Sequence, residues 1–183
     1  MNKPLFATLL LSASFAAHAE QFSLSSPEIK PGATIKNEQV FNGFGCTGGN
    51  ISPTLEWKNA PKGAKSFALL VHDPDAPTGG SGWWHWVVIN IPADSSKLDS
   101  GAGTADGSKL PKGASQINTD FGSSGWGGPC PPVGHKVHHY NFTLHALKVE
   151  KLELPANATA ALAGYMINAN SIGKTTLTGM YGR

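Results

Sequence analysis

The chain has 183 residues, 14% of them charged, and a formal net charge of +2 at pH 7. Its lysines are scattered and its single arginine is Arg183, so the basic patch or stripe of a nucleic-acid binder is absent. Twenty-two glycines and thirteen prolines, spread among short apolar runs, indicate many strands joined by turns.

Lys3 opens the chain, Leu5 to Ala17 is almost wholly apolar, and Ala17-His18-Ala19 has the small-x-small form of a cleavage site. That order predicts a secretory signal over residues 1–19, cleaved to leave residues 20–183 as one domain. The apolar run falls short of the ~20 residues that span a bilayer, and no later stretch is apolar enough to do so. No cysteine follows the cleavage site to take a lipid. The expected location is the periplasm or the outside of the cell. There, Cys46 and Cys130 are most simply a disulfide, with two free thiols as the alternative. Neither shows the C-x-x-C spacing of a redox site.

Strands are predicted over Phe22–Ser25, Thr54–Trp57, Ser66–Val71, Trp83–Ile91, His138–Lys148 and Thr175–Tyr181. In the fifth, Tyr140, Phe142, Leu144 and Ala146 alternate with Asn141, Thr143 and His145, which marks one buried face. His138 shares that face with Tyr140. One helix is predicted, from Ala158 to Ala169, with Asn157 as N-cap and Leu162, Tyr165, Met166 and Ala169 towards the core. Lys97 to Ile117 and Gly122 to Gly134 read as long loops, a common site of function in a small domain. Three N-x-[ST] matches, at Asn50, Asn141 and Asn157, are taken as chance in a bacterial periplasm.

Asp73-Pro74-Asp75 follows the third strand. Proline stiffens it, and a turn needs no further explanation. His85 sits between Trp84 and Trp86. Simple alternation turns it away from both and towards the face of Val87 and Ile89, as a core histidine or as a ligand. His138-His139-Tyr140 follows the glycine–proline loop and shifts the balance towards a ligand. Asp73, His85 and His138 would suit a metal if they converged, but no H-x-x-x-H or C-x-x-C spacing advertises one. No metal ligand or cofactor is assigned. The G-x-S-x-G, G-x-x-x-x-G-K-[ST] and G-x-G-x-x-G signatures are absent, so no catalytic residue is assigned either.

Four motifs in order change these odds: DPDAP at 73–77, WWHW at 83–86, GGPCPP at 127–132 and HHY at 138–140. With GGNISPTLEW at 48–57 and LPKGA at 110–114, they resemble the phosphatidylethanolamine-binding protein family, also known as the Raf kinase inhibitor family. The likeness covers residues 21–180 and is greatest to the bacterial YbhB/YbcL branch, whose periplasmic YbcL-like members share the signal and the cysteine pair. The resemblance implies a mainly β fold: a large central antiparallel sheet, a smaller flanking sheet and one or two short helices. It implies a pocket for a small anion, phosphate or a phosphorylethanolamine head group. Asp73, Asp75, His85, Gly128, Pro129, Pro131, His138 and Tyr140 are the matching ligand-binding positions. His139 stands where many members have arginine, and a C-terminal helix that guards the pocket in eukaryotic members is not expected.

The expected role is non-enzymatic binding. Contact inhibition of a serine protease or kinase, or modulation of a host target, is the alternative, and a phosphoester enzyme ranks third. A protein target and a homodimer are left open as partners, while nucleic acid is not expected. The histidines, tyrosine hydroxyl and loop amides are expected to donate to the anion, with the aspartates orienting His85 and His138. Binding is then expected to weaken from pH 5 towards about pH 8 as histidine loses its proton.

Overall fold

The computed structural model describes residues 20–183. The predicted signal over residues 1–19 lies outside the described residues. No helix among them is long and apolar enough to cross a membrane.

In chain order the elements are β1 (Ser23–Ser25), β2 (Asn42–Gly43), β3 (Cys46–Thr47), β4 (Leu55–Lys58), β5 (Ser66–Asp73) and β6 (Trp83–Pro92). β7 (Lys97–Leu98), β8 (Ser115–Gln116), β9 (His138–Leu147), α1 (Ala160–Asn170) and β10 (Ser171–Tyr181) follow. A five-stranded sheet in the order β10-β9-β5-β6-β8 is flanked by the three-stranded sheet β1-β4-β7, and β2 pairs with β3. Every strand pair is antiparallel. All six predicted strands are present, the last beginning four residues earlier than its sequence signal. The two-residue β7 and β8 interrupt the segment expected to be loop, and β2 and β3 lie outside every predicted strand. Strands that short display no period for alternation to reveal.

The central sheet buries both faces, which is why β5 reads as a continuous apolar run. One face carries Leu69, Val71, Trp86, Val88, Tyr140, Phe142 and Leu144 and packs against Trp57, Leu55 and Trp126. The other carries Ala68, Leu70, Val87 and Ile89 and is covered by Ala160, Ala163 and Ile167 of α1. At roughly 1.5–3 kcal/mol for each large apolar side chain removed from water, these two layers dominate the stability of the fold.

The helix differs from its expected form in two respects. Its N-cap is Thr159, whose Oγ1 accepts the Leu162 N–H at 3.1 Å, not Asn157. Its buried face is Ala160, Ala163, Gly164 and Ile167. Tyr165, expected in the core, is 71% exposed, while Met166 packs partly against the second layer. Trp84 of β6 packs in the same layer as the small residues of the helix. A Cβ on Gly164 would lie 3.6 Å from the Trp84 ring.

Candidate functional site

One rim of the large sheet gathers the polar side chains. Asp73 ends β5, and the antiparallel β6 and β9 begin beside it, bringing Trp83, His85, His138 and Tyr140 to the same end. A bulge decides where His85 points. Val71 pairs with Trp86 and His72 with Trp84, so His85 has no partner on β5. The extra residue breaks the alternation that would have put His85 with Val87 and Ile89. His85 instead shares the face of Trp86, with its ring 5.1 Å from Tyr140 and 6.5 Å from Trp126. Trp84 packs on the opposite face, as expected, but Trp86 does not.

The 125–132 loop forms a second wall. Trp126 stacks on Phe142, with centroids 5.8 Å apart, and its Nε1 donates to Gln39 O at 3.1 Å. Asn50 clamps the loop: its Oδ1 accepts the Gly128 N–H at 2.8 Å and its Nδ2 donates to Trp126 O at 3.2 Å. The amide that matched a glycosylation pattern thus serves inside the fold. Gly128 runs so close to the 39–41 backbone that a Cβ would lie 2.1 Å from Gln39 O. Gly128→Ala is expected to cost about 2–3 kcal/mol by overpacking, read from the urea unfolding midpoint. A loss below about 0.5 kcal/mol would contradict that close approach.

The hairpin of β2 and β3 closes the mouth. Cys46 and Cys130 are disulfide-bonded with Cα atoms 6.0 Å apart. Arg183 ties the same two segments, donating from Nε to Pro131 O at 2.6 Å and from its two Nη atoms to Gly45 O and Phe44 O at 3.0 and 3.1 Å.

Between these walls lies a cavity of about 270 Å³. Asp73, His85, Pro131, His138 and Tyr140 line it. Gly128, Pro129 and Asp75 do not. Gly128 and Pro129 brace the loop from behind, Pro129 O accepting the Phe41 N–H at 3.1 Å. Asp75 turns towards Lys136 and His139, accepting from Lys136 Nζ, from His139 Nδ1 at 2.7 Å and from the His139 N–H at 2.9 Å. The Lys136 ammonium, aided by His139, holds the Asp75 carboxyl well below the usual carboxylate range against the opposing effect of burial. His139 therefore has a partner in the Asp75 carboxylate.

Sequence reading missed Trp83, Phe44 and Phe121, which form an aromatic rim around the cavity. Trp83 stands within WWHW, two residues before His85, where alternation along the strand places it on the side of His85. Phe44 and Phe121 lie in loops whose partners are remote in sequence.

The polar groups have specific bonds. Asp73 accepts the Asp75 N–H at Oδ1, 2.8 Å, and the His138 Nδ1 proton at Oδ2, 2.7 Å. His138 Nε2 meets His135 Nδ1 at 2.6 Å. His85 Nδ1 lies 2.6 Å from Gly127 O. A carbonyl only accepts, so Nδ1 carries the proton and the neutral ring leaves a lone pair on Nε2. Burial pushes the His85 pKa down from 6.5 to about 4, so the ring is neutral at pH 7. Aspartate orients His138 as expected, whereas a backbone carbonyl orients His85. Tyr140 Oη is buried and makes no close hydrogen bond, its proton being drawn towards the Asp73 carboxylate. Burial, with the Asp73 charge beside it, pushes the phenol pKa well above its usual value, so it keeps its proton. The loop amides expected as donors are occupied: Gly127 N–H donates to His85 O at 2.9 Å and Gly128 N–H to Asn50. Among the described residues no three His, Cys, Asp or Glu side chains are grouped so as to hold a metal ion.

Known proteins share this arrangement of sequence and fold. The family model for phosphatidylethanolamine-binding protein matches residues 25–182. The UPF0098 protein YbcL of Escherichia coli K12 is 51% identical over 181 residues, covering 99% of this chain and 98% of that protein. YbhB of the same organism is 43% identical over 158 residues, covering 86% of this chain and 98% of its own. The crystal structure of E. coli YbcL, described as a new member of the mammalian PEBP family, superposes with a TM-score of 0.87 at 52% identity, covering 90% of this chain and 99% of that one. On the strength of this match along its length, the chain belongs to the phosphatidylethanolamine-binding protein family.

Proposed function

We propose that this protein is a non-enzymatic binding protein whose cavity takes a small phosphate-bearing molecule, free phosphate or a phosphorylethanolamine-type head group. The observation that carries this reading is the Tyr140 hydroxyl, buried without a close hydrogen bond beside a cavity that also holds Asp73 and His85. An unpaired buried hydroxyl costs about 1–3 kcal/mol, which a ligand oxygen accepting its proton would recover. The aromatic rim keeps competing water from that bond. Export to the periplasm or beyond fits the Cys46–Cys130 disulfide.

The same bonds argue against turnover. A nucleophile needs an adjacent base. Thr78 Oγ1 donates to Gly82 O at 3.0 Å, Cys130 is bonded to Cys46, and the second nitrogen of His138 faces His135. None of these pairs resembles an activated hydroxyl or thiol.

Titration calorimetry with phosphoethanolamine tests the reading. Tyr140→Phe removes one oxygen and is expected to weaken binding about tenfold, near 1.4 kcal/mol, with the unfolding midpoint of the ligand-free protein unchanged or raised. Equal affinity in the variant would remove the observation on which the proposal stands. A second reading, inhibition of a protein target by contact, draws on Phe44 and Val133, which are 65% and 77% exposed on the two loops joined by the disulfide. Inhibition of that kind would survive Tyr140→Phe.

A further inference from the structure

A second cavity, of about 480 Å³, adjoins the rim site, and Phe44 and Phe121 line both. It forms where the 119–127 loop folds back on residues 103–105. Trp126 N–H donates to Gly103 O at 2.9 Å, and Ser124 Oγ donates to Ala105 O at 2.8 Å. Gly125, at a φ of +98°, passes so close that a Cβ would lie 2.9 Å from Gly103 O. These contacts fix a polar wall. Another wall is aromatic, with ring centroids 4.7 Å apart for Phe41 and Phe121 and 5.9 Å apart for Phe44 and Phe121. Phe44 and Phe121 lie within 12° of parallel, and Phe44 is exposed, so a ring face is open to a ligand.

Among the described residues no charged side chain lines this cavity. The two carboxylates that flank its lining residues in sequence have other partners: Asp120 accepts the Trp84 N–H at 2.8 Å, and Asp106 the Ser108 N–H at 3.0 Å. An ion entering would leave water without gaining a counter-charge, so charged ligands are disfavoured. The polar groups that remain are neutral and offer both donors and acceptors. The Ser123 hydroxyl is exposed and can do either. Ser124 and Thr119 donate to Ala105 O and Ser123 O and keep lone pairs. Asn50 uses one amide proton on Trp126 O and retains the other.

A ring with C–H groups on its face and hydroxyls around its edge matches both walls. The face packs on the phenylalanines, and each hydroxyl gives a proton to one neighbour while accepting from another. A flat aromatic ligand would stack on the same rings, but its fixed edge makes poorer use of rotatable hydroxyls. The volume falls within the roughly 300–1,000 Å³ of small-ligand clefts. We propose that this cavity is a second binding site, for an uncharged sugar: a neutral monosaccharide or the terminal residue of a neutral glycan. The site stands independently of the head-group reading, with which it shares only a wall.

The test is a backbone-amide NMR titration of the intact protein with methyl glucoside, N-acetylglucosamine, glucosamine, glucuronate and adenosine. It is run at about pH 6, where the amine and the carboxylate are both ionised. The two neutral sugars are expected to give saturable shifts over residues 103–105 and 119–127, in the millimolar range of a small ligand held by few bonds. Glucosamine and glucuronate add a charge of either sign to the same ring and should bind about tenfold more weakly. Ser123→Trp sets a ring across the cavity from an exposed position and should abolish the shifts, with the urea midpoint showing that the variant folds. Should it not fold, Ser123→Ala takes its place and should weaken binding several-fold. Charged sugars binding as tightly as neutral ones would overturn the inference, and so would adenosine binding more tightly than either neutral sugar. Absence of shifts at these amides with both neutral sugars, or shifts undiminished in the folded Ser123 variant, would overturn the site itself. Phosphoethanolamine binding reports on the other cavity, so the failure of either reading is distinguishable from failure of the other.

Discussion

Loss of the Cys46–Cys130 disulfide, by reduction or by Cys46→Ser with Cys130→Ser, is expected to destabilise the protein by roughly 4.5 kcal/mol on a chain-entropy model of the closed loop. The cysteines are 84 residues apart, so the bond removes a large set of conformations from the unfolded chain. Its structural effect should be confined to the mouth of the cavity. Arg183 joins the same two segments through Phe44 O, Gly45 O and Pro131 O, and the sheet that carries Asp73, His85 and Tyr140 does not depend on either link. Urea unfolding with and without reductant measures the loss. A change below about 1 kcal/mol would mean that the unfolded chain is already restricted along this loop.

Acid should destabilise the fold through His85. Its folded pKa is depressed from 6.5 to about 4 because burial disfavours the imidazolium. Between those values the unfolded chain holds a proton that the folded one refuses. The contribution is therefore complete above pH 6.5 and falls by about 1.4 kcal/mol per pH unit towards pH 4, on the order of 3 kcal/mol in all. His145, also lowered to about 4 mainly by burial, acts in the same direction. His85→Gln removes one of these sites, so its stability should decline less steeply between pH 6.5 and 4 than that of the wild type. Parallel curves from urea titrations at several pH values would show that His85 is not the neutral buried ring described above.

The strand signals were legible because they are local. Tyr140, Phe142, Leu144 and Ala146 are each fully buried, and His138 lies on their face, as alternation along one strand requires. The helix was legible in extent but not in orientation. A window containing Ala160, Ala163, Gly164 and Ile167 as well as Leu162, Tyr165, Met166 and Ala169 offers two apolar stripes. Which one is buried is decided by how the helix packs on the sheet, a tertiary contact that neither stripe announces.

The site divides in the same way. Asp73, His85, Pro131, His138 and Tyr140 were named from motifs whose residues come together at one sheet rim. Asp75, Gly128 and Pro129 belong to the same motifs but support the cavity without lining it. Composition and order could not separate the two groups, because lining and bracing residues alternate within single loops.

By itself the sequence determined the strand-rich class, the family, the pairing expected of its two cysteines and the residues from which a pocket would be made. These depend on residue type, order and spacing along the chain. Tertiary structure alone decided that a bulge turns His85 to the side of Trp86, that Gly127 O rather than an aspartate sets its tautomer, and that the loop amides are already bonded. Each of these depends on which backbone group meets which across strands and loops remote in sequence. Together these contacts between segments remote in sequence fix the orientation of the cavity's polar groups.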